Sequence, residues 1–119
     1  MINYRALFDA LNALPQGKRR LARNVAWDDA NDCGCFWGTL IPRAEHPREG
    51  LSFTTVVLVS PTLRGYEGTN FLEVNRLERA NDIFLGTEEE RFEHMRRVVA
   101  KKWVERLKGP EYWVEDKTT

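Results

Sequence analysis

The sequence predicts an α+β domain, with three to four helices packed on a small antiparallel sheet of two to three strands. Three observations carry that prediction. Residues 87–108, TEEERFEHMRRVVAKKWVERLK, have a complete helix signature. Thr54-Thr55-Val56-Val57-Leu58-Val59 is rich in the β-branched residues that favour strands. Two short apolar runs, 35–41 and 112–114, offer that strand its partners.

The first helix begins after Asn3, a side chain suited to accept a hydrogen bond from a first-turn amide. Tyr4, Leu7, Phe8, Leu11 and Leu14 then recur at helical spacing, and Pro15-Gln16-Gly17 ends the run. Lys18 to about Trp27 reads as a second, shorter helix, with Leu21, Val25 and the alanines Ala22 and Ala26 turned inward. Asp28 to Gly34 is a turn-rich acidic loop. Cys35 to Ile41 is apolar and fits either helix or strand, while Pro42 to Gly50, with two prolines, reads as an exposed loop. Leu51 to Ser60 is the best strand and pairs with 35–41 across that loop. Pro61 to Thr69, with Gly65 and Gly68, reads as a second loop. Asn70 to Asn81 fits a helix through Phe71, Val74, Leu77 and Ala80, although Leu72 and Val74 also alternate as a strand would.

The terminal helix is the clearest element. Thr87 and Glu90 form a capping-box pattern, in which each side chain serves the other residue's amide. Glu88, Glu89 and Glu90 sit at the positive end of the helix dipole, and Lys101, Lys102, Arg106 and Lys108 at the negative end. Phe92, Met95, Val99, Trp103 and Leu107 make one apolar stripe, Glu93 and Arg97 are placed to pair four residues apart, and Gly109-Pro110 stops the helix. Tyr112-Trp113-Val114 extends the sheet as an edge strand, and the tail frays from about residue 115.

The 119 residues fit a single globular domain. A composition 42% hydrophobic and 11% aromatic excludes a disordered chain. Lys and Arg balance Asp and Glu at 18 each, so no overall field draws the chain to nucleic acid or a membrane surface. No apolar run approaches the length of a membrane span. Cys33 and Cys35, one residue apart, are too close for an ordinary structural disulfide, which points to reduced thiols and a cytoplasmic location.

Candidate chemistry is sparse. Cys33, Cys35 and His46, with the nearby acids, lack the second ligand pair and the Cys spacing of a structural zinc site, so the expectation is no metal, no cofactor and a buried Cys35. His94 lies four residues after Glu90 and reads as a solvated surface residue. His46 reads as an ordinary loop residue. Lys18, Arg19, Arg20 and Arg23, with Arg97, Lys101 and Lys108, could grip phosphates. However, Arg97 and Lys101 have Glu93 and Glu105 as local partners, and no nucleic-acid motif is present. Trp27, Trp37 and Trp103 are read as core, whereas Tyr112, Trp113 and Tyr66 are the aromatics placed for partial exposure.

The order Cys35-Phe36-Trp37-Gly38, a variable middle, Asn81-Asp82, then Thr87-Glu88-Glu89-Glu90-Arg91 opening a terminal helix resembles small uncharacterised proteins encoded by phages and prophages. The likeness spans roughly residues 20–107. In those proteins the Cys-x-x-Gly element usually begins a helix, whereas the 51–60 run here argues for a sheet alongside. The resemblance implies no catalytic residues. It implies a non-enzymatic accessory protein in the bacterial host cytoplasm, binding a host or phage protein stoichiometrically, in the manner of an anti-CRISPR inhibitor of a defence complex. The candidate contact residues are Asp28, Asp29 and Asp32 in the acidic loop and Arg43, Glu45 and Arg48 in the next loop. Tyr66 and Glu67, Arg97 and Lys101, and Tyr112 and Trp113 complete the set. The alternative is a nucleic-acid-binding regulator acting through Arg19, Arg20, Arg23, Arg97 and Lys101.

Overall fold

A computed structural model describes residues 2–48, 51–57, 59–67 and 71–108. Among these the chain is helical, with α1 (Tyr4–Ala13), α2 (Phe36–Leu40), α3 (Pro61–Glu67), α4 (Phe71–Ile83) and α5 (Glu88–Lys108) joined by loops and three short 3₁₀ turns. No strand or sheet is present among the described residues, so the predicted α+β class is wrong. The nearest approach to a sheet is an isolated antiparallel bridge between Asp28 and Cys33.

Three helices follow their local chemistry. Asn3 Oδ1 accepts from the Ala6 amide at 3.0 Å, and Tyr4, Leu7 and Leu11 of α1 are buried. The capping box of α5 is formed both ways. The Glu90 amide donates to Thr87 Oγ1 at 3.1 Å, and the Thr87 amide donates to Glu90 Oε1 at 2.8 Å. Phe92, Met95 and Val99 are fully buried and Trp103 partly so. Glu93 pairs with Arg96 at 2.7 Å, one residue short of the expected Arg97. α1 lies against α5, with Phe8 and Trp103 rings 5.9 Å apart and Arg96 Nη1 donating to Asn12 Oδ1 at 3.1 Å. α4 forms close to the predicted span and buries Val74, Leu77, Ala80 and Asn81.

The predicted strand over 51–60 is instead a 3₁₀ turn, Phe53–Val56. Ser52 O accepts from both the amide and the hydroxyl of Thr55, so local bonds replace a ladder. Phe53 and Val57 are buried four residues apart, a helical spacing. Its intended partner, 35–41, contains α2, and an unpaired strand would leave its own amides and carbonyls unsatisfied. The predicted edge strand at 112–114, the Gly109-Pro110 stop and the fraying tail lie outside the described residues, as do the side chains of Leu107 and Lys108.

The predicted helix over 18–27 is also absent. Residues 16–18 form a 3₁₀ turn and the chain then runs irregularly to α2. Leu21 and Ala22 are buried as expected, but their amides donate to Glu88 O and Gly34 O across the fold rather than along a helix. Asn24 is left-handed, at φ 62°, a conformation asparagine tolerates and a helix does not contain. Lys18, Arg19 and Arg20 would also have crowded positive charge onto the positive end of a helix dipole.

α3 occupies the segment expected to be a loop. Pro61 stands at its first position, where its missing amide costs nothing, and Ser60 Oγ accepts from the Leu63 amide at 3.1 Å. Glu45 reaches over to accept from the Ser60 hydroxyl and from the amide and hydroxyl of Thr62. α2 is short and capped by Cys35, whose Sγ accepts from the Gly38 amide at 3.4 Å. Cys-x-x-Gly thus begins a helix. Its close packing requires glycine, because a Cβ on Gly38 would stand 1.8 Å from Ala26 O, and one on Gly34 2.2 Å from the same atom.

One buried cluster runs from Ile2 to Val99. Outside that cluster, the charged side chain of Arg91 is also buried, at 3% exposed. Its guanidinium donates to Asn81 O and Phe84 O at the end of α4 and to Leu21 O, at 3.0–3.1 Å. One side chain therefore satisfies two carbonyls at the end of α4 and ties that end to residues 19–35, the irregular strap that leads to α2.

Candidate functional site

The irregular strap, the 42–48 loop, the 3₁₀ turn and α4 enclose an open cleft of about 820 Å³. Trp27, Arg43, His46, Arg48, Glu78 and Asp82 line it, with Val25 and Leu51 also contributing. Val25 is 42% and Leu51 53% exposed, so the cleft has an apolar border open to solvent.

His46 is fixed inside it. Nε2 lies 3.0 Å from Gly38 O and 2.9 Å from Ile41 O, and two carbonyl acceptors require that Nε2 carries the proton and donates to both. The ring so held serves the carbonyl end of α2, packs edge-on against Phe53 at 5.2 Å and lies 6.5 Å from Trp27. Arg43 spreads over the Trp27 ring with its guanidinium carbon 4.9 Å from the centroid, and its Nη1 is 3.6 Å from Asp29 Oδ1. Both members of that ion pair are exposed, so it orients Arg43 more than it stabilises the fold.

The two carboxylates that α4 contributes to the cleft, Glu78 and Asp82, are part of the scaffold. Glu78 Oε1 accepts from the Phe53 amide at 3.4 Å, and Oε2 is buried without a hydrogen-bond partner. Burial raises the Glu78 carboxyl above its ordinary value; the Phe53 amide opposes that shift and the Asp82 charge adds to it. Asp82 Oδ1 accepts from the Asn24 amide and Asn81 Nδ2, and its backbone carbonyl accepts from Arg23 Nε at 2.7 Å. Cys35 is 3% exposed, and burial pushes its thiol up to about 12, against the smaller opposing effect of the Gly38 amide. That thiol is neither ionised nor accessible, so it lacks the requirements of a nucleophile. Cys33, expected in the acidic loop, is buried too, and its thiol is likewise raised by burial. Among the described residues no group of three or more His, Cys, Asp or Glu could hold a metal ion.

The expected contact residues are scattered. Arg43 and Arg48 line the cleft, and Asp29 touches it through Arg43. Asp28 braces its own loop, accepting from the Ala30 amide and Asn31 Nδ2, and Asp32 pairs with Lys18 at 2.6 Å; these hydrogen bonds hold both carboxyls below their ordinary value. Glu45 is turned onto Ser60 and Thr62 and is a structural side chain. Tyr66 is half-buried in α3, 6.4 Å from the Trp37 ring, and its carbonyl accepts from the Asn3 amide. Arg97 and Lys101 are exposed on α5, which contributes no residue to the cleft. Tyr112, Trp113 and the Glu67 side chain lie outside the described residues.

The basic cluster of the strap is largely engaged by the fold. Arg19 donates to Asn12 O and Leu14 O at the end of α1, Arg20 to Asn31 O, and Arg23 to Asp82 O. His94 is not a free surface residue. Its ring stacks on Phe84 at 4.4 Å, and burial, with the Arg97 and Arg91 charges, lowers its pKa. Sequence reasoning did not find the roles of His46, Phe53, Glu78 and Asp82, because they meet only through an unpredicted loop geometry. The one available signal was Asn81-Asp82, singled out among the motifs of the sequence but not as an anchor.

No helix among the described residues is long and apolar enough to cross a membrane. Compared with known proteins, the chain matches no family model, no curated protein and no solved structure.

Proposed function

We propose that this protein acts by stoichiometric association with another protein, and that the cleft face is its contact surface. The observation carrying this reading is the contrast between the inside of the cleft and its mouth. Inside, His46, Glu78 and Asp82 are held by hydrogen bonds to the fold itself. At the mouth, Val25 and Leu51 are exposed, and Arg48 forms no ion pair among the described residues. A rigid recess with a free apolar and cationic border suits binding, because little side-chain ordering remains to oppose it. A partner segment would place an apolar side chain against Trp27 between Val25 and Leu51, with an acidic group meeting Arg48.

The resemblance to phage and prophage proteins directs the search for that partner to bacterial defence complexes, in which the protein would act as a non-enzymatic inhibitor in the host cytoplasm. The test is affinity capture from bacteria of the tagged chain beside its Leu51→Asp and Val25→Asp variants. The expected result is a partner held in fixed ratio by the unmodified protein and lost from both variants. Recovery of nothing above background, or equal recovery by all three, would overturn the reading.

A further inference from the structure

Among the described residues, the outward face of α4 carries an unpartnered stripe. Leu72, Arg76, Arg79 and Ile83 fall within an arc of about 60° at 3.6 residues per turn, along about 16 Å of helix. All four are exposed, Leu72 by 57% and Ile83 by 64%. Neither arginine has an ion-pair or hydrogen-bond partner among the described residues. The acids of the same helix are turned away from the stripe. Glu73 accepts from the Tyr4 hydroxyl at 2.6 Å, Glu78 lies under Phe53, and Asp82 holds the Asn24 amide. Two adjacent positive charges are therefore left without local compensation, between two aliphatic side chains that the core does not use.

We infer that this stripe docks an acidic, amphipathic segment of a protein partner, its carboxylates on Arg76 and Arg79 and its apolar side chains on Leu72 and Ile83. Arginine suits the role because its planar fork binds a carboxylate through two parallel hydrogen bonds, and it is enriched among residues that dominate interface energies. The apolar ends favour a protein over a nucleic acid, since a phosphate backbone would grip the arginines and leave Leu72 and Ile83 in water. The inference rests on the protein-binding reading above and adds the chemistry of the partner.

The probe is a fluorescein-labelled helical peptide with paired glutamates between leucines, titrated into the full chain and followed by anisotropy. Its lysine counterpart and a single-stranded oligonucleotide are run beside it. Binding of the glutamate peptide alone is expected, weakened about tenfold or more by Arg76→Glu with Arg79→Glu, which corresponds to at least one interface side chain of ordinary weight. Leu72→Ser with Ile83→Ser should weaken it as well, while Arg97→Glu leaves it unchanged. All these side chains are exposed, and circular dichroism checks that each variant folds. No binding of the glutamate peptide, binding indifferent to the arginine pair, or preferential binding of the oligonucleotide overturns the inference. A partner captured in a Leu51-dependent way but retained by the arginine double variant would overturn the stripe alone and leave the cleft reading standing.

Discussion

Replacing Arg91 by methionine isolates the interaction on which the α4–α5 junction depends. The guanidinium is almost fully buried and makes three hydrogen bonds, to Asn81 O, Leu21 O and Phe84 O. A hydrogen bond from a charged donor contributes about 1.5 kcal/mol at the lower end of its range, so three contribute about 4–5 kcal/mol. Removing the buried charge also removes its desolvation cost, which offsets part of that loss. The net expectation is a destabilisation of about 3 kcal/mol, a large share of the 5–15 kcal/mol typical of a domain. Arg91→Lys should lose about 2 kcal/mol, because a compact ammonium cannot span three carbonyls that a planar fork reaches together. Urea unfolding followed by tryptophan fluorescence reads both values from the shift in midpoint at constant slope. A methionine variant within about 1 kcal/mol of the unmodified protein would refute the idea that this residue closes the end of α4.

Other perturbations have signs that the structure determines. Gly38→Ala places a methyl against the Ala26 carbonyl, which is backbone and cannot swing aside, so a loss of about 3 kcal/mol is expected in the same urea assay. Gly65→Ala in α3 meets nothing within 4 Å and should instead gain about 0.5–1 kcal/mol from helix propensity. His94 is depressed in the folded state, so its neutral form is the stabilising one. Its contribution is complete above the unfolded value of about 6.5 and is lost as pH falls from there through the folded value. Urea midpoints should therefore drop on acidification through that window, and His94→Phe should flatten the drop. At pH 8 neither buried thiol should react with iodoacetamide until urea unfolds the chain; alkylation of Cys35 in the native protein would contradict its burial.

How much of this was legible in the sequence depends on how local the determining contacts are. α1 and α5 declare themselves through Asn3 and through the reciprocal Thr87 and Glu90 bonds, all within three residues of their partners. α3 was equally legible in principle, since Ser60-Pro61 is a cap followed by a first-turn proline, but Gly65 and Gly68 drew the segment towards a loop reading. The Thr54–Val59 run misled because β-branched composition describes a strand only where a neighbouring strand can pair with it. The strap between α1 and α2 is shaped by remote partners, Glu88 for Leu21, Gly34 for Ala22 and Asp82 for Asn24, and no periodicity encodes those. The cleft inherits that difficulty, because its walls come from four segments. Of its lining, only Arg43 and Arg48 were anticipated as contact residues, through their place in a charged loop.

The stripe on α4 shows the opposite case. Its spacing was present in the sequence all along, yet Leu72 read as an ordinary helical or strand apolar position until the packing showed Val74, Leu77 and Ala80 facing the core. Exposure of Leu72 and Ile83 is a property of the assembled fold, not of the residues.

The cleft-binding claim is tested most directly by placing the photo-crosslinker p-benzoylphenylalanine at position 51, at the cleft mouth, and separately at Asp9 on the exposed side of α1, then irradiating bacteria that express each variant. The expected result is one adduct of defined mass from position 51 and none from position 9. No adduct from position 51, or the same adducts from both positions, would contradict it.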